Sequence, residues 1–125
     1  MKSDIASVEA VVTSYLEALH AGDVEGLARA FAPSAALYAS TDGAATALAL
    51  EPWLERVRGR TSAAASGFAS RNAILSIETE GDMAMAKVTS EFPPKRFTDY
   101  LTLVRTASGW RIAAKTYHAE DIAKL

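Results

Sequence analysis

A chain of 125 residues, half of them hydrophobic and 22% charged, has the usual size of one domain with one core and is too apolar to be a disordered segment. Its formal net charge of -2 offers no basic footprint for nucleic acid, so a small-molecule ligand or a protein partner is expected. With no cysteine, disulfides, thiolate nucleophiles and cysteine metal sites are excluded.

Met1-Lys2-Ser3-Asp4 runs straight into an amphipathic pattern without a signal-like apolar stretch, and no window approaches a membrane span. That predicts a cytoplasmic protein with no membrane partner. Ile5, Val8, Val12, Tyr15 and Leu19 recur at helical spacing and predict a first helix with one buried stripe. Gly22 suits the left-handed residue past its end, and Asp23 can cap a short second helix from about Val24 to Phe31. Pro33 follows, and Ala35-Ala36-Leu37-Tyr38 reads as a short strand before an Asp42-Gly43 turn. A third helix is expected from near Pro52, carrying Trp53, Leu54 and Val57 as far as Gly59.

From Phe68 onward the period becomes that of strands. Ala73, Leu75 and Ile77 alternate with polar residues, Gly81-Asp82 offers a hairpin turn, and Pro93-Pro94 breaks the next strand. Two further strands run from Phe97 to about Arg105 and, after Ser108-Gly109, to about His118. Helices followed by a strand meander predict an α+β domain over residues 1–125, with helices on one face of an antiparallel sheet.

Hairpin arithmetic predicts which side chains face inward. Gly81-Asp82 as a loop pairs Ile77 with Ala86, Leu75 with Val88 and Ala73 with Ser90; Pro93 to Arg96 as a loop pairs Phe92 with Phe97, Ser90 with Asp99 and Val88 with Leu101. For the last hairpin two registers are open. One sets Lys115 beside Leu101 and Arg111 beside Arg105, and the hydrophobic pattern rejects it; the other sets Leu101 by Thr116 and Asp99 opposite His118. The second predicts a polar row of Ser90, Asp99 and His118 in an apolar wall, with Arg71 one step away. An inward carboxylate costs several kcal/mol unless paired, so Asp99 requires either a structural partner or a functional role.

These residues also carry a likeness over nearly the whole chain. Tyr15-Leu16 through Gly22-Asp23, then Leu27 through Ala30-Phe31-Ala32-Pro33, resembles the opening of the nuclear transport factor 2-like superfamily, which includes ketosteroid isomerases and SnoaL-type polyketide cyclases. Phe97-Thr98-Asp99-Tyr100-Leu101-Thr102-Leu103, Trp110-Arg111-Ile112, Lys115 and Tyr117-His118 resemble its bacterial branch described as putative lumazine-binding. The resemblance implies a cone in which three helices close over a strongly bent sheet, and a homodimer formed through the outer sheet face. It also implies that Tyr15 stands where the isomerase keeps its oxyanion-hole tyrosine and Asp99 where it keeps a hydrogen-bond-donating aspartic acid. At the isomerase's base position this chain has Ala39, which disfavours steroid isomerisation, since positioned proton transfer supplies about 10²- to 10⁴-fold.

Three functions are open. The favoured one is a pocket for a planar aromatic or carbonyl-containing ligand, walled by Trp53, Phe31 and Tyr38, with Asp99, Arg71 and Ser90 at its polar edge. In the second, a cofactor-free isomerase, cyclase or dehydratase uses His118 as base, oriented by Asp99, with Tyr15 donating to an oxyanion. In the third, the domain acts by association through the outer sheet face. The two histidines lie far apart in sequence, with His20 assigned to the carbonyls ending the first helix, so no metal site is expected. No glycine-rich phosphate loop or nucleotide fingerprint occurs, and no cofactor is expected.

Overall fold

The computed structural model describes residues 3–122; Met1 and Lys2, expected to lead into the first helix, lie outside the described residues, as do 123–125. Helix α1 (Asp4–Ala21) begins where the Ser3 side chain accepts the Ala6 amide at 3.1 Å, and it ends at Gly22, whose φ of +69° is the left-handed conformation glycine adopts without strain. Val8, Val12, Tyr15 and Leu16 form its buried stripe, whereas Ile5, expected in it, is half exposed. The Asp23 side chain caps α2 (Val24–Ala30) by accepting the Gly26 amide at 3.0 Å. A Cβ on residue 26 would come within 2.5 Å of that carboxylate, so the cap and the glycine belong together.

Phe31, expected to end α2, instead opens β1 (Phe31–Thr41). The Asp42-Gly43 turn leads into β2 (Ala44–Ala49), a strand that its alanine-rich sequence does not announce, and α3 (Leu50–Arg58) buries Leu50, Trp53, Leu54 and Val57. After a turn-rich segment tied to α1 by the Ala64 amide on the His20 carbonyl (3.1 Å) come β3 (Ala73–Glu80), β4 (Met83–Phe92), β5 (Lys95–Thr106) and β6 (Gly109–Asp121).

The six strands form one curved, unclosed sheet in the order β2-β1-β6-β5-β4-β3. The α+β cone is as expected, with one correction: β1 runs parallel to β6, so the sheet is mixed, not purely antiparallel. The helices cover the inner face, where Leu27, Leu54, Val88, Leu101, Leu103 and Ile112 make the core. On the outer face Leu75, Met83, Tyr100 and Val104 are exposed. Among the described residues no helix is long and apolar enough to cross a membrane.

Three registers differ from expectation, each for a local reason. A bulge between Ile74 and Ser76 leaves Leu75 exposed and pairs Ile74 with Val88, so Ala73 turns outward and meets Thr89, not Ser90. Pro93-Pro94 alone makes the β4–β5 turn, so Phe92 meets Lys95, Ser90 meets Phe97 and Val88 meets Asp99. This two-residue slide preserves parity, and Asp99 still faces inward. In the last hairpin Leu103 pairs with Ile112, then an extra residue in β6 shifts the ladder so that Leu101 pairs with Lys115 and Asp99 with Tyr117. The bulge keeps Arg111 away from Arg105, which faces Trp110, and turns both Ile112 and Lys115 inward although they are three residues apart.

Candidate functional site

The centre of the inner face is polar. Tyr15, carried on the buried stripe of α1, donates its hydroxyl to Asp99 Oδ2 at 2.7 Å, and Lys115 Nζ lies 3.7 Å from the same oxygen. All three are buried: Tyr15 is 0% exposed, Asp99 1% and Lys115 6%. Asp99 Oδ1 is buried with no hydrogen-bond partner in the protein. A carboxylate in this position fits the rule that buried charges are paired, yet the unpartnered oxygen leaves the pair incompletely satisfied.

Aromatic rings surround the amine. Lys115 Nζ is 4.9 Å from the Trp53 ring centroid, 5.3 Å from that of Tyr117 and 5.5 Å from that of Tyr15, within the range of cation–π attraction. Tyr117 reaches this position because it pairs with Asp99 across β5 and β6. Phe31 holds the cage from behind, edge-on to both Tyr15 (5.6 Å) and Trp53 (5.5 Å). Lys115 is also the member of the trio that borders a cavity of about 380 Å³, lined among others by Leu37, Leu48, Trp53, Ser90, Phe97 and Tyr117. That volume falls within the range of small-molecule sites, and the lining has the matching character of apolar walls with a few polar groups.

Burial pushes the Lys115 amine below its ordinary value, with the Asp99 carboxylate opposing and the Arg60 charge assisting. Burial, then Asp99, pushes the Tyr15 phenol well above its own. Relative to the unfolded chain, the fold therefore disfavours the ammonium, and Lys115 contributes stability that is present above 10.5 and lost as pH falls through the lowered value. Tyr15 contributes stability that is present below 10.0 and lost as pH rises through the raised value. Urea unfolding across the alkaline range is expected to show stability rising through the Lys115 window and falling through the Tyr15 one, as pH climbs from 10.0 toward the raised value. Lys115→Met should remove the rise and Tyr15→Phe flatten the fall; profiles that superimpose on the parent's would contradict this assignment.

The expected site is assembled in part. Tyr15 and Asp99 meet, and Trp53 and Ser90 border the cavity, whereas Phe31, expected in its wall, does not line it and meets Trp53 edge-on. His118 is exposed and pairs with Thr98, so the expected Asp99–His118 dyad does not form; the β6 bulge gives its place to Lys115 and Tyr117. Tyr38 is 43% exposed while its neighbour Leu37 lines the cavity, and Arg71 is exposed and off the cavity wall. His20, assigned to helix-end carbonyls, is on the wall. Lys115 is absent from the expected site because the register that pairs it with Leu101, the one the structure adopts there, is turned down by the hydrophobic pattern. Its signal is the inward carboxylate, which requires a cation on a neighbouring element. Among the described residues no group of three His, Asp or Glu side chains could hold a metal ion.

The sequence pattern of the family described as "Putative lumazine-binding" matches residues 3–118. No curated protein matches the chain. Among solved structures, an NTF-2 like protein of unknown function from Silicibacter pomeroyi is 27% identical, with 93% of this chain and 95% of that one covered and a TM-score of 0.77. An NTF2-like protein of unknown function from Shewanella baltica is 20% identical over 93% of each chain, with a TM-score of 0.83. A ketosteroid isomerase-like protein from Erwinia carotovora atroseptica is 16% identical, covering 95% of this chain and 98% of its own, with a TM-score of 0.73. At these identities the last two likenesses are of fold.

Proposed function

The chain belongs to the putative lumazine-binding family, and from that premise we propose that it is a small-molecule-binding protein whose pocket takes a planar aromatic or carbonyl-containing ligand. The observation that carries this reading is the Lys115 amine, buried beside Trp53 and Tyr117 on the wall of the 380 Å³ cavity. A flat ligand gains stacking surface from the rings, and a carbonyl oxygen at its edge accepts a charge-assisted hydrogen bond from the amine. Binding is favoured over isomerase, cyclase or dehydratase chemistry by the use made of Tyr15: its proton is directed to Asp99, and neither residue borders the cavity. Residue 39 remains an alanine.

Lumazine itself, a flat pteridinedione, is a suitable probe. Titration followed by its fluorescence is expected to saturate with one site per chain, and Trp53→Ala is expected to weaken binding by about tenfold or more, the scale of losing one aromatic anchor. Saturation at equal affinity in Trp53→Ala would remove this wall from the proposal, and failure of lumazine and other flat carbonyl compounds to bind would remove the proposal itself.

A further inference from the structure

Lys115 is more than a hydrogen-bond donor in an aromatic wall. It is a primary amine 6% exposed, on the surface of a cavity large enough for a small molecule, with a carboxylate 3.7 Å from Nζ. Asp99 is in turn fixed by the Tyr15 hydroxyl at 2.7 Å. The other described lysines differ. Lys87 lies over the Tyr100 ring on the outer face; Lys95 also borders the cavity, but its side chain is about half exposed and its amine is taken by Asp121 at 2.7 Å, away from the aromatic rings around Lys115. An ion pair for stability alone would not need its amine at a cavity wall, and apolar replacements of such pairs are often as stable.

We propose that Lys115 captures an aromatic aldehyde or ketone in the pocket as a reversible iminium, with Asp99 as its counterion. This rests on the pocket reading above and specifies the chemistry of the bound carbonyl compound. The ammonium passes one proton to Asp99, the freed Nζ lone pair attacks the carbonyl carbon, and a carbinolamine forms. Asp99, which faces the nitrogen and not the cavity, returns its proton to Nζ; the carbinolamine oxygen takes up two protons from that nitrogen and leaves as water as the C=N bond forms. One carbonyl compound and one ammonium thus give one iminium and one water, with no oxidant or reductant. Asp99, a carboxylate again at the end, balances the iminium charge, and the Trp53, Tyr15 and Tyr117 rings stabilise it as they do the ammonium. Desolvation of the amine by burial favours the nucleophilic form.

The test treats the full chain with 2-naphthaldehyde, with and without sodium cyanoborohydride, and locates the reduced adduct by peptide mass mapping; displacement of lumazine reports pocket occupancy separately. The expected result is displacement of lumazine and labelling of Lys115 about tenfold or more above Lys87 and Lys95. Because the label is located in the parent protein, the result does not depend on a variant folding; Lys115→Arg should in addition abolish the adduct. Displacement without selective labelling overturns the iminium and leaves the pocket reading intact. Neither displacement nor labelling overturns both.

Discussion

Replacing Asp99 by leucine is expected to cost about 3–5 kcal/mol of folding stability, because it strands the Lys115 charge and the Tyr15 hydroxyl in the interior together. The magnitude follows from what is left behind. Both former partners are almost fully buried, Tyr15 at 0% and Lys115 at 6% exposure. Lys115→Met should cost less, since Asp99 then keeps its bond from Tyr15. The informative variant is the double replacement, Asp99→Leu with Lys115→Met, which removes both charges and should recover much of the loss. Urea denaturation of the four proteins gives the coupling directly. Additive losses, or an Asp99→Leu protein within about 0.5 kcal/mol of the parent, would mean that the two groups do not depend on one another.

The second large effect is expected at Phe31. It is 2% exposed, stands at the junction of α2 and β1, and meets Tyr15 and Trp53 edge-on. Phe31→Ala should cost about 3–5 kcal/mol through the lost burial and the cavity it opens, whereas Phe31→Leu should cost about 1.5 kcal/mol or less. Its consequence for the pocket is separate. With the supporting edge gone, Trp53 loses the contact that fixes its ring, so lumazine binding should weaken in Phe31→Ala even at temperatures where the protein is fully folded. Equal affinity in a folded Phe31→Ala protein would show that Trp53 is held by other contacts.

What the sequence discloses, and what it conceals, follows from the reach of each signal. Helical spacing identifies Tyr15 as buried, and strand alternation turns Asp99 inward even though the expected β4–β5 register is two residues off, because side-chain parity survives an even slide. Odd shifts are different. The bulges near Leu75 and in β6 each reverse parity, and neither has a glycine or proline at the site to mark it. They are therefore invisible to alternation, which misplaces Ala73, His118 and Lys115 with them. The register that puts Lys115 beside Leu101 is disfavoured by pattern because lysine is among the least often buried residues. That general tendency is overridden by one local demand, the charge of Asp99. Strand β2 is hidden for want of signal: its alanine-rich sequence shows no apolar alternation, and its place comes from pairing with β1.

The surplus residue in β6 has one more implication. A strand has two sides, and here one side offers Lys115 and Tyr117 while the other offers Ala114, Thr116 and His118. Where the irregularity falls decides which set the interior receives. Relocating it beyond residue 118 would exchange an amine for an imidazole without altering a single side chain, so in this architecture the chemistry of the chamber can be rewritten by backbone phase alone.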